Sequence, residues 1–144
     1  MNHKEHEEHE EHKEYKAHAP IDAATERIVR EVIGAGIDVH KQLGPGFIEP
    51  VYDSALRIEL RHRRLHFEEQ KSIAIHYRGA LVCQHRLDLV VEDVVVVEVK
   101  AVRKLRPIHQ AQILSYLKAS GCRVGLLMNF NVQLFVDGLR RFIR

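Results

Sequence analysis

The stretch Arg86-Leu87-Asp88-Leu89-Val90-Val91-Glu92-Asp93-Val94-Val95-Val96-Val97-Glu98-Val99-Lys100-Ala101-Val102 consists of two β-branched runs that meet at Glu92-Asp93. That pattern predicts two strands joined by a tight hairpin. Side chains alternate along a strand, so Glu98 and Lys100 share one face, and the hairpin brings Asp88 back towards them. Unpaired charge in so apolar a setting is costly. Two acids and one base do not balance without a proton or a cation. The cluster therefore reads either as a buried ion pair with one acid left over or as a metal site.

Working outward, apolar residues Ile28, Val29, Val32, Ile33, Ile37 and Leu43 recur at helical spacing over residues 25–43. Gly44-Pro45-Gly46 ends that helix. A second helix is expected over residues 49–64, with Tyr52, Ala55, Leu56 and Leu60 inward. Strands follow over residues 67–77, 80–91 and 94–102, the first two turned by Arg78-Gly79. Pro107 suits the first turn of a third helix, which Gly121 closes. Residues 123–130 read as another buried strand, and residues 139–144 could add an edge strand. This order predicts an α/β domain, a central sheet with helices on both faces.

At 144 residues the chain is expected to form one domain, and no apolar run approaches the length needed to span a bilayer. Its N-terminus has no apolar stretch of the kind a secretory signal requires, so a cytoplasmic location is expected. Cys83 and Cys122 each sit in a strand-like apolar stretch and are expected to be buried thiols. Residues 1–18 carry three Lys against six Glu, and His3, His6, His9 and His12 recur every third position. With so few apolar residues, residues 1–20 read as a disordered His/Glu/Lys-rich tail, and transition-metal binding by its imidazoles is the sharper alternative. Beyond residue 18 there are 19 basic residues against 14 acidic, a surplus of +5 that is compatible with nucleic acid.

More charged and polar residues converge on the cluster. Glu49 opens the second helix. Gln112 and Tyr116, four apart, share one face of the third, with His109 on the same side. Arg103, Lys104 and Arg106 follow directly where the chain leaves the charged strand. Tyr52 reads as core. His40 and His109 read more readily as satisfied histidines than as site residues, and Arg61, Arg63 and Arg64 as a solvated helix end.

Asp88, nine residues, Glu98-Val99-Lys100, then Gln112-x-x-x-Tyr116 resembles the PD-(D/E)xK nuclease superfamily, the last pair its RecB-like branch. Gly46-Phe47-Ile48-Glu49-Pro50-Val51-Tyr52 is similar to the signature of the GxxExxY family of small bacterial proteins. Asp38-Val39-His40, Leu43-Gly44-Pro45-Gly46 and Asn129-Phe130-Asn131 look like the same family. The resemblance spans about residues 22–144. The proline that usually precedes the first catalytic acid is missing, since Leu87 stands before Asp88.

The resemblance implies a three-layer αβα, restriction-endonuclease-like domain over residues 21–144, with a four-stranded mixed sheet flanked by helices. It implies a nuclease that uses Mg²⁺ or Mn²⁺, held by Asp88, Glu98 and the Val99 carbonyl. Lys100 would be the catalytic lysine and Glu49 the first-helix acid, while Gln112 and Tyr116 would support the site. Arg103, Lys104 and Arg106 would contact phosphate. The implied partner is nucleic acid, DNA more readily than RNA, with scope for a homodimer or a protein partner and none for a membrane. The alternative is a catalytically weak module that keeps the nuclease fold and binds nucleic acid or protein.

Overall fold

The structure, a computed structural model, describes residues 19–144, so the expectation of a disordered or metal-binding tail falls largely outside the described residues. Helix α1 (Ala23–Leu43) starts at Asp22, whose carboxylate accepts the Thr25 N–H at 2.7 Å. Its apolar stripe buries Val29, Val32, Ala35 and Val39, and it ends at Gly44 with φ 65°. Helix α2 (Glu49–His62) has Pro50 in its first turn and buries Tyr52, Leu56 and Leu60. Strands β1 (Phe67–Tyr77), β2 (Ala80–Val91) and β3 (Val95–Lys100) follow. Next come α3 (Pro107–Ser120), β4 (Val124–Asn129), the one-turn α4 (Phe135–Gly138) and β5 (Leu139–Ile143).

The five strands form one sheet in chain order. Neighbours are antiparallel except β3 and β4, whose parallel pairing requires the α3 crossover. The expectation of four strands is corrected here. Residues 139–143 pair with β4 from Val124↔Ile143 to Met128↔Leu139, which extends the mixed sheet by one edge. Helices α1 and α2 cover one face over Leu89, Val97, Val99, Leu126 and Met128. Helix α3 covers the other over Ile73, Leu87, Val90 and Val96. The αβα layering therefore holds.

Two expectations about single residues fail. Cys83 is exposed, because the part of β2 that carries it pairs with β1 alone; Cys122 is buried. Arg63 is not a solvated helix end. Its guanidinium reaches Asp38 at 2.6 Å, Glu31 at 3.0 Å and Glu59 at 3.1 Å, tying α1 to α2.

One irregularity positions everything that follows. Alternate strand residues share a face, yet Leu87 packs under α3 while Leu89 packs under α1 and α2. The same reversal occurs on β1, where Phe67 lies on the α1/α2 side and Ile73 on the α3 side. Between them, paired residues flank Gln70 on β1 and Asp88 on β2, and Gln70 has φ 50°, a conformation few non-glycine residues adopt. The ribbon turns over at Gln70 and Asp88. There β2 also parts from β3, to which it pairs only over residues 89–91.

Candidate active site

Where the two strands part, the Asp88 carboxylate substitutes for a lost ladder bond: Oδ2 accepts the Val99 N–H at 3.4 Å. Val96, Glu98 and Lys100 alternate on β3, and Val96 packs under α3, so Glu98 and Lys100 look the same way. Glu98 is only 7% exposed. Among the described residues its Oε1 is the one buried side-chain polar atom with no hydrogen-bond partner. Burial pushes its carboxyl up to about 8, the adjacent Asp88 adds to the push, and Lys100 offsets only part of it.

The remaining charges gather around this pair. Glu49, half-buried at the start of α2, is held above the ordinary carboxylate range by burial, against the pull of Lys100 and with a further push from Asp88. Tyr116 on α3 is raised by burial and by the nearby charges of Glu98 and Asp88. Lys100 acts on Glu49 and Glu98 through its field, while none of the ion pairs found among the described residues includes Glu49, Asp88, Glu98 or Lys100. A plain structural ion pair, the bland reading of this cluster, is therefore not what the strands build.

The structure thus brings Glu49, Asp88, Glu98, Lys100 and Tyr116 to one place. Gln112, one turn before Tyr116 on α3, is exposed. Arg103, Lys104 and Arg106 line a separate cleft of about 650 Å³ together with Val102 and His109. His109 is a local brace, with its Nδ1 accepting the Arg106 N–H at 3.0 Å. His40 is structural too: its Nε2 sits 2.6 Å from the Val132 carbonyl. Tyr52 is core, stacked on Phe130 with ring centroids 4.8 Å apart. Its hydroxyl donates to the Gly44 carbonyl at 2.6 Å and accepts from Phe47 N–H at 3.1 Å, which fixes the loop leading into Glu49.

Two residues of the site escape a reading of the sequence. Asp53 lies within the field of Asp88 and is raised mainly by burial, although Arg57 pairs with it at 2.7 Å. The spacing Glu49-x-x-x-Asp53, which sets both on one helix face, was the available signal. His85 stacks on Tyr116 with centroids 4.4 Å apart, a contact that no local pattern announces.

Among the described residues no group of three or more His, Cys, Asp or Glu side chains is arranged to hold a metal. Two carboxylates are nevertheless a sufficient side-chain share for Mg²⁺, which keeps several waters and also takes backbone carbonyl oxygens. The unpartnered buried Glu98 Oε1 beside a second acid fits such an ion.

The fold is a mixed sheet layered between helices, with an acid pair and a lysine gathered where two strands part. The model of the PD-(D/E)XK nuclease superfamily matches residues 26–142, and the chain belongs to that superfamily. No curated protein and no solved structure matches the chain.

Proposed function

We propose that the protein is a divalent-metal-dependent nuclease acting on DNA. The observation that carries this reading is the uncompensated acid pair: a buried Glu98 oxygen without a partner, next to Asp88, in a member of a nuclease superfamily. Asp88, Glu98 and the Val99 carbonyl would hold Mg²⁺ or Mn²⁺. When bound, such an ion lowers the pKa of a coordinated water and neutralises charge on a phosphoryl oxygen.

The chain's own residues do the rest. Asp88, anchored through the Val99 N–H, fixes the strand opening. Lys100 orients the attacking water and offsets charge on the phosphorane, while Glu49 sits across from it as a further acid. Tyr116 and Gln112 present hydrogen-bonding groups from α3 towards the substrate side. Arg103, Lys104 and Arg106, gathered in one cleft after β3, contact phosphate. The narrower kinship, to the GxxExxY family and the RecB-like branch, rests on Gly46, Glu49 and Tyr52 and on the Gln112/Tyr116 pair.

The test is cleavage of labelled single-stranded, duplex and branched DNA, and of RNA, with Mn²⁺ or Mg²⁺. Wild type is expected to cut, and Asp88→Ala and Lys100→Ala to lose cutting with the fold intact by circular dichroism. Cleavage that survives both substitutions, or that needs no divalent ion, refutes the assignment.

A further inference from the structure

The β1–β2 hairpin outgrows the sheet. β2 meets β3 only at residues 89–91, whereas β1 and β2 stay paired out to Tyr77↔Ala80. Residues 71–77 and 80–87 therefore form a two-stranded ribbon extending roughly 20 Å beyond the sheet at about 3.3 Å per residue. Helix α3 covers one face of its base through Ile73, Ile75 and the His85 stack. Its tip is bare: Tyr77 is 67% exposed, Leu81 54% and Val82 60%. The turn at Arg78-Gly79 has positive φ at both residues, the tight form that suits a ribbon. Packing on α3 gives the ribbon's base the support a two-stranded ribbon needs, and its tip and outer face are left for something else to cover.

Its chemistry says by what. The chain holds 20 acidic residues, yet residues 71–87 contain none, while carrying Arg78, Arg86, His76 and His85; Lys71, at the base, is paired with Glu68 and Asp93 at 3.7 Å. The face away from α3 is set by the cross-strand pairs Ser72↔Arg86 and Ala74↔Gln84, all four exposed. Ser72 and Gln84 are linked there at 2.7 Å. Small and polar, with one cation, this face suits base edges and phosphates better than it suits an apolar partner. A two-stranded ribbon fits the major groove of duplex DNA, about 12 Å wide, and thymine methyls accept apolar contacts such as Leu81 and Val82 would offer.

We infer that the β1–β2 ribbon is a docking arm for duplex DNA, seated in the major groove with the Ser72/Gln84/Arg86 face inward. This rests on the nuclease reading and adds the substrate class to it. Arg86 lies two residues from Asp88 on the same strand, so the arm joins the sheet at the residue beside the acid pair.

The experiment uses the full chain in EDTA, where no metal-dependent cutting occurs, and follows fluorescence anisotropy of a 20-base-pair duplex and of its single strand. The double variant Arg78→Ala/Arg86→Ala is expected to bind the duplex at least about tenfold more weakly, with a salt slope smaller by about 2. Its Mn²⁺-dependent hydrolysis of bis(p-nitrophenyl) phosphate should stay at the wild-type rate. Gln84→Ala should weaken binding to some duplex sequences more than to others. Unchanged duplex affinity in the double variant overturns the arm, as does an equal loss on single strands. A dimer in sedimentation that the double variant dissociates while duplex affinity persists overturns it in favour of a self-interface. Failure of the nuclease reading shows separately, as small-phosphodiester hydrolysis that is absent or indifferent to Lys100→Ala.

Discussion

Removing the charge from Glu98 should make the metal-free protein more stable at alkaline pH. Folding raises this carboxyl from 4.5 to about 8, chiefly through burial and then through Asp88. For an acid raised on folding, the stabilisation is fully present below the unfolded value and is lost as pH climbs through the folded one. Between pH 4.5 and 8 the wild type should therefore shed stability, with a ceiling of roughly 5 kcal/mol at about 1.4 kcal/mol per unit. Relaxation and water entry on ionisation reduce the expected loss to about 2–3 kcal/mol, a large share of a small domain's total.

Glu98→Gln keeps the shape and cannot ionise, so the loss should vanish from its profile. Glu49 and Asp53 are raised as well and slope the same way, whereas Asp22 and Glu26 are lowered and slope the other way. All four are common to both proteins and cancel in the difference. The assay is urea unfolding by circular dichroism in EDTA at pH 5.5, 7 and 8.5. The curves should diverge with pH, the variant gaining on the wild type by at least about 2 kcal/mol. Added Mn²⁺ should then restore the wild type at pH 8.5 and leave the variant unmoved. Parallel profiles would show that Glu98 is ionised in the fold without any cation to balance it, and would refute a cation site here.

Three further outcomes follow from contacts around the site. Tyr52→Phe removes the hydroxyl held by Gly44 and Phe47, costing about 1–3 kcal/mol in urea unfolding and slowing DNA cleavage through a misplaced Glu49, with the Phe130 stack retained. Asn129→Ala strips the amide that donates to the Val102 carbonyl at 2.9 Å and accepts its N–H at 3.0 Å; it should cost about 2–4 kcal/mol and loosen DNA binding through the following basic loop. Arg63→Met should lose about 1–2 kcal/mol measured thermally at low salt, and added salt should narrow its gap to wild type, because three ion pairs are screened in one protein and absent from the other.

What could be read from the sequence was whatever is periodic or local. The β-branched runs around Glu92-Asp93 gave both strands of that hairpin, and the turn indeed has positive φ at both residues. Pro107 and Gly121 bracketed α3, with Gly121 in the left-handed conformation that a terminating glycine takes. The acid pair and Lys100 followed from alternation. Relations between distant segments were not legible. Arg63 finds Glu31 and Asp38 only once α1 and α2 lie side by side, and Tyr116 finds His85 only once α3 crosses the ribbon. The same holds for Cys83: its strand-like apolar setting predicted burial, but the part of β2 that carries it extends beyond β3 and stays exposed.

The reversal at Gln70 and Asp88 accounts for why the acids sit where they do. A regular ladder would continue β2 against β3 past Leu89 and satisfy the Val99 N–H with a backbone carbonyl. Turning the ribbon over there costs one strained residue, Gln70, and one ladder bond. In return the Asp88 side chain takes up that N–H and is fixed in place, while Glu98 keeps an oxygen that nothing in the described chain satisfies. One oxygen of Asp88 is thus committed to the fold, while an oxygen of Glu98 is left without a partner. The same reversal frees the ribbon from the sheet at the residue beside the acid, so the strand opening that makes the site also makes the arm. Straightening the strand with Gln70→Val, whose β-branched side chain disfavours positive φ, should therefore weaken duplex binding and cleavage together while leaving the α1/α2 core unfolding cooperatively. Loss of cleavage with duplex affinity intact would show that the opening serves the site alone.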